Sequence, residues 1–226
     1  MFSATAEPRI GVLTFPGSLD DRDLARALGA CGARVTLLWH KDRSLPELDG
    51  LALPGGFSYG DYLRTGAMAR FSPVMEAVIE FARRGGPVLG VCNGFQILCE
   101  AGLLPGALVR NRELKFVCED VTVAVEDPGN LKSELAPGRA LVMPVKHGEG
   151  AYVPDPSHKP RVAFRYVGGS PNGSTDDIAG IANAAGNVVG LMPHPEYAVD
   201  PLLGSSDGGA LLRSFAAACV AARSGR

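Results

Sequence analysis

The sequence predicts an α/β fold: one domain with a mostly parallel central sheet, helices on both faces and a β-rich second half. Three observations carry this. Runs that are nearly all apolar, such as Ile10–Leu13, Leu51–Leu53 and Val88–Val91, have the pattern of strands buried on both sides. Between them lie segments with apolar residues at helical spacing, so strand and helix alternate over the first hundred or so residues. Beyond Leu104-Pro105-Gly106 the helical spacing stops and strand candidates follow one another.

Residues 1 to 8 carry no pattern and read as a flexible leader, which leaves 9 to 226 as the domain. Arg9–Phe15 is an apolar strand closed by the turn Pro16-Gly17-Ser18. Asp20–Gly32 places Leu24, Ala27, Leu28 and Cys31 on one helical face, and Gly32 stops it. Arg34–Trp39 and Leu51–Leu53 are the next strands, the latter ending in Pro54-Gly55-Gly56. Pro73–Arg84 is an amphipathic helix closed by basic residues and Gly85-Gly86. Val88–Val91 follows as a strand, and a helical pattern (Phe95, Leu98, Cys99) begins directly after Cys92. In the second half Leu114–Val125, Leu141–Val145, Val162–Val167, Ile178–Ala182 and Val188–Met192 read as strands. An amphipathic helix at Asp207–Arg223 closes the chain. Ligands of parallel sheets bind at the carboxyl ends of the strands. The turns at Phe15–Ser18, Pro54–Phe57 and Cys92–Gly94 are therefore expected to converge on one crevice.

Composition excludes several classes of function. A formal net charge of −2 over 226 residues leaves no electrostatic footprint for nucleic acid or an anionic membrane. No apolar run is long enough to span a bilayer, and the N-terminus lacks the pattern of a signal peptide. Five scattered cysteines with no C-x-x-C pair argue against a disulfide framework or a zinc site and fit a cytoplasmic location.

Cys92 is the candidate nucleophile. Gly90 and Gly94 flank it at two residues on either side, between an apolar strand and a helix, the spacing of a nucleophile elbow. Glycines are needed there because the sharp turn leaves no room for a Cβ, and the free N–H groups of a helix N-terminus favour a thiolate. A buried structural cysteine is the plainer alternative. Among four histidines, His194 stands out, following an apolar strand in Pro193-His194-Pro195-Glu196. In an extended segment held by prolines, His194 and Glu196 point to the same side, so the carboxylate can orient the ring and leave its other nitrogen for a thiol. The backbone N–H groups of Asn93 and of the Gly55-Gly56 turn are candidate donors for an oxyanion, Gly56 foremost. His147 is read as a positioning residue, and His40 and His158 as solvated loop residues. The turn at Asn172–Asp177 is open between a partner-facing surface and an ordinary loop.

Gly90-Val91-Cys92-Asn93-Gly94-Phe95-Gln96 together with Pro193-His194-Pro195-Glu196 resembles a class I, triad-type glutamine amidotransferase. Phe15-Pro16-Gly17-Ser18, Pro54-Gly55-Gly56-Phe57-Ser58-Tyr59-Gly60-Asp61-Tyr62-Leu63-Arg64 and Val145-Lys146-His147-Gly148-Glu149-Gly150 narrow the resemblance to the glutaminase subunits of phosphoribosylformylglycinamidine synthases. It runs from about Arg9 to the last helix. It implies a flavodoxin-like glutaminase fold and a reaction in which Cys92 forms a thioester with glutamine, His194 moves the proton and Glu196 orients His194. The resemblance also implies that Gly55, Phe57, Gln96, Lys146, His147, Gly148 and Glu149 hold the substrate. It implies no metal or cofactor in this chain, with ATP and magnesium in a synthetase partner, and a small accessory subunit beside it. The chain departs from the family pattern at Leu19-Asp20, where Asn-Cys is usual, and at Tyr197, where arginine is usual. Two other readings are weighed: a stand-alone cysteine hydrolase of the stress-protein type, and a non-catalytic regulatory subunit with the same fold. The intact Cys92, His194 and Glu196 weigh against the second.

Overall fold

A computed structural model describes residues 7–224; most of the expected leader lies outside the described residues. Its last residue, Pro8, is buried and its carbonyl accepts from the Arg34 N–H at 2.9 Å.

In chain order the first half contains β1 (Arg9–Thr14), α1 (Asp21–Ala30), β2 (Arg34–Trp39), β3 (Gly50–Leu53), α2 (Val74–Arg83), β4 (Val88–Val91) and α3 (Asn93–Glu100). The second half contains β5 (Ala107–Val109), β6 (Val117–Val125), β7 (Ala140–His147), β8 (Ala151–Val153) and β9 (Arg161–Tyr166). It ends with β10 (Ile178–Ala182), β11 (Val188–Leu191) and α4 (Asp207–Ser224). One sheet runs in the order β2-β1-β3-β4-β11-β10-β9-β6-β7, and β5 pairs with β8 apart from it. The pairs from β2 to β11 are parallel, and those from β11 through β10, β9 and β6 to β7 are antiparallel. The α/β alternation of the first half thus builds the parallel part, and the β-rich second half extends the same sheet.

The parallel centre is fully buried: β3, β4 and β11 have no exposed residue. Burying one such Val, Leu or Ile side chain is worth about 1.5–3 kcal/mol, so these short strands are held by packing rather than by their own length. Helices cover both faces. A Cβ on Gly50 would meet Phe215 and Cys219 of α4, while Leu53, three residues on and so on the opposite face, lies against Gly94 of α3.

Register is what makes the site. Leu191 of β11 pairs with Val91 of β4, and Leu53 of β3 pairs with Gly90. These three neighbouring strands end together, so the residues that follow them, Pro54–Gly56, Cys92 and Pro193-His194, emerge side by side at the carboxyl edge. The Cys92 N–H donates to the Leu191 carbonyl at 2.8 Å, and the His194 N–H donates to Pro144 of β7 at 2.8 Å.

Candidate active site

Cys92 holds φ 51° and ψ −107° between β4 and α3, in a region that costs a non-glycine residue about 1–3 kcal/mol. The flanking glycines explain how that strain is held. A Cβ on Gly94 would lie 2.1 Å from the Leu53 carbonyl oxygen, and one on Gly90 2.8 Å from the Gly94 backbone. Both contacts are with backbone, which cannot step aside.

His194 is fully buried, and its Nδ1 lies 2.7 Å from Glu196 Oε1. The route differs from the extended segment expected from the prolines. Pro195–Tyr197 is one turn of 3-10 helix with Pro195 in its first turn, and that turn brings Glu196 back to the ring. Proline suits that position because its missing N–H would be unpaired there and its φ is already helical. His194 Nε2 is buried with no conventional hydrogen-bond partner, and the Cys92 sulfur is close enough to act on the ring. Burial alone would push the imidazole down, but the Glu196 carboxylate and Cys92 outweigh it and raise His194 to about 10.

The other expected residues gather around this pair. A cavity of about 290 Å³ is lined by Gly56, Phe57, Cys92, Gln96, Lys146, His147, Gly148 and Glu149, with Asp61, Thr65, Arg110 and Phe116. Gly56 has φ 140°, and a Cβ there would strike the Gly17 carbonyl at 2.6 Å. The N–H groups of Gly56 and Asn93 enter no hydrogen bond among the described residues. Side chains tie the three loops together: Asn93 Oδ1 accepts from the Ser58 N–H at 3.1 Å, and Asn93 Nδ2 donates to Gln96 Oε1 at 2.8 Å. Gln96 Nε2 in turn donates to the Glu149 carbonyl at 2.5 Å. Asn93 and Gln96 therefore brace the cavity with their side chains. Gly55 stands against His194 rather than in the cavity wall, a Cβ there lying 2.7 Å from His194 Cε1.

His147 is buried and set beside His194 but turned to other partners. Its Nδ1 lies 3.2 Å from Asn111 Oδ1, and Asn172 Nδ2 stands 3.4 Å from its Nε2. Burial, then the charge of His194, lower it to about 4, so it is neutral at pH 7. Asn172 is fully buried and also donates to the Gly150 carbonyl at 2.8 Å. The start of the Asn172–Asp177 turn therefore faces inward, while Thr175 and Asp176 are exposed. One expectation is corrected, that for His40. It is buried against Tyr59 with Nδ1 2.7 Å from the Tyr59 hydroxyl, whereas His158 is exposed as expected.

Sequence reasoning missed Asp61 as a site residue. Its Oδ1 is buried without a partner in the cavity wall, and burial followed by the Glu149 charge raises its carboxyl to about 6. The one available signal was its place in the Gly-Gly-Phe-Ser-Tyr-Gly-Asp block. Lys146, whose backbone is expected near substrate, lines the cavity, and its side chain reaches Asp20 at 2.5 Å and Tyr197 at 3.3 Å. Asp20, His194 and Glu196 could each offer an atom to a cation, all within 4.8 Å. The Lys146 ammonium already sits on Asp20, and Glu196 already holds His194 Nδ1, so the donor set suits a shared proton better than a metal.

Comparison with known proteins supplies the family. The family model for the CobB/CobQ-like glutamine amidotransferase domain matches residues 7–208. A phosphoribosylformylglycinamidine synthase subunit PurQ of Frankia casuarinae is 55% identical over 222 residues, covering 95% of this chain and 94% of that one. The chain belongs to the PurQ-type glutamine amidotransferases. A PurQ subunit of Streptomyces avermitilis is 56% identical over 87% of this chain and 91% of its own. A chain of PurLQS from Thermotoga maritima superposes with a TM-score of 0.88 at 42% identity, covering 93% of this chain and 98% of that one. PurQ-type membership and the mixed α/β glutaminase fold are thus both in agreement with the residues read at the outset.

Proposed function

We propose that this chain, with residues 9 to 226 as its glutaminase domain, hydrolyses glutamine and passes the ammonia to the synthetase subunit of a phosphoribosylformylglycinamidine synthase. One observation carries the reading: a strained cysteine at a strand end, facing a buried histidine whose far nitrogen is held by a carboxylate. Cys92 attacks the side-chain amide carbon of glutamine, and the oxyanion is received by the N–H groups of Gly56 and Asn93. His194, carrying a proton on Nε2 and kept in orientation by Glu196, delivers it to the departing nitrogen, which leaves as ammonia. Water then adds to the glutamyl thioester with His194 as base, and collapse releases glutamate and the Cys92 sulfur.

The cavity fits the amino-acid end of glutamine. Asp61 with its unpaired Oδ1 and Glu149 supply negative charge for an ammonium group, while Phe57, Gln96 and the Lys146–Glu149 backbone, with His147 behind it, shape the wall. Phe57, Leu114 and Phe116 are exposed around the mouth, with Leu19, Tyr62 and Leu63 on neighbouring turns. Such an apolar rim suits a protein partner. ATP and magnesium belong to that synthetase, which converts formylglycinamide ribonucleotide to its amidine in purine synthesis in the cytoplasm, beside a small accessory subunit.

Glutamate release and amidine formation by the assembled complex test the reading. Wild type should perform both from glutamine. Cys92→Ala should lose both, yet form amidine from added ammonia. Glutamate release that survives Cys92→Ala would refute the mechanism.

A further inference from the structure

We infer that Asp20 is a positioning residue for His194, a second carboxylate held beside the Nδ1 edge of the ring by Lys146 and Tyr197. The inference rests on the reading of His194 as proton carrier. Asp20 occupies the N-cap position of α1, where an aspartate ordinarily accepts from the first-turn N–H groups. Here its side chain makes no cap hydrogen bond. The carboxylate turns the other way and is buried. Its Oδ1 accepts from Lys146 Nζ at 2.5 Å and from the Tyr197 hydroxyl at 2.8 Å, and its Oδ2 stands 3.7 Å from His194 Nδ1.

A buried carboxylate is costly unless it is paired, so the arrangement needs its cations and donors. Lys146 supplies a charge and also lies 4.4 Å over the Tyr197 ring. The Tyr197 hydroxyl is 2.8 Å from both Asp20 and Asp23, and its one proton can serve either, while Lys146 donates to the Tyr197 oxygen. Gly55 leaves the space in which Asp20 and His194 meet: a Cβ there would lie 2.4 Å from Asp20 Oδ2 and 2.7 Å from His194 Cε1. The contact joins three distant segments, the loop before α1, the end of β7 and the turn after β11. It also places Asp20 and Tyr197, two of the three residues that depart from the family pattern, in direct contact.

The charged and titratable groups that bear on His194 are then Glu196, Cys92, Asp20 with its Lys146, Tyr197 and the neutral His147. Glu196 takes the Nδ1 hydrogen bond. Asp20 adds a partly balanced negative charge beside the same nitrogen, which favours the imidazolium and keeps the ring from rotating off Cys92.

The test is Asp20→Asn in the chain assembled with its synthetase, read by the pH profile of glutamate release. The kcat should fall about tenfold while the KM for glutamine stays within about twofold. The alkaline limb should move to lower pH, because losing the second carboxylate lowers the affinity of His194 for its proton. Asp20→Ala, which also removes the carboxylate, should move the limb the same way, and it covers the case in which Asp20→Asn does not fold. Amidine formation from added ammonia should stay at the wild-type level, which a variant that misfolds or fails to assemble could not achieve. An unmoved alkaline limb in both variants, or a loss confined to KM, overturns the inference. Wild type that releases no glutamate overturns the underlying reading and the inference with it.

Discussion

At the scale of the residue, the site works by placing charge where water cannot reach it. His194 and Glu196 are both buried, and the carboxylate holds the imidazolium up to about 10 against the cost of burial. A histidine held up in this way keeps its proton below that range and gives it up as pH rises through it. Glu196→Gln should therefore pull the alkaline limb of glutamate release toward neutral pH, measurable as kcat against pH. Asp61 titrates in the opposite sense. Its carboxyl, raised to about 6, becomes neutral as pH falls through that value. Glutamine affinity should weaken there, and Asp61→Asn should raise KM roughly tenfold at neutral pH with a smaller change in kcat. A KM unaffected by Asp61→Asn would remove it from the substrate site. Cys92, His194 and Glu196 were all legible in the sequence, because each stands in a short local pattern. Asp61 and Asp20 were not, since their places at the site come from contacts across the fold: Asp20 meets Lys146, 126 positions away. Local reading also misjudged His40, which was expected to be solvated in its turn but is buried against Tyr59.

At the scale of the element, the strand–elbow–helix unit is built around two glycines that no side chain can replace. Gly94→Ala would drive a Cβ to 2.1 Å from the Leu53 carbonyl. It should cost about 1–3 kcal/mol or more of stability, seen as a lowered denaturation midpoint. Gly29 in α1 is the contrast, since a Cβ added there would meet nothing within 4 Å. Gly29→Ala should be neutral or stabilise by up to about 1 kcal/mol. Equal effects at the two positions would show that the close approach of β3 and α3 does not constrain the elbow. The main strands and helices were legible because apolar runs and helical spacing persist over several residues. β5 and β8, three residues each and paired only with one another, carry too little pattern to be read. The Pro193–Glu196 segment was read as extended because proline disfavours helix interiors, yet a single 3-10 turn accepts proline at its start.

At the scale of the whole molecule, one sheet brings together segments that are far apart in sequence, and apolar side chains stand exposed around the cavity mouth. Glutamate release by the isolated chain should be slow and should rise on adding the synthetase, followed by steady-state kinetics at increasing partner concentration. Full activity in the isolated chain would mean that docking does not complete the site. The parallel half of the sheet was foreseeable from alternating elements. Whether the second half would extend the same sheet or lie beside it stayed open, because antiparallel strands carry no mark of which edge they join.

The chemistry proposed for the site is covalent, with glutamine passing through a thioester on Cys92. Mass spectrometry of the complex, quenched during turnover with isotopically labelled glutamine, can detect that intermediate. A labelled glutamyl adduct should appear on the peptide containing Cys92 and be absent in Cys92→Ser. Sustained glutamate release with no adduct on Cys92, or an adduct on a different cysteine, would contradict it.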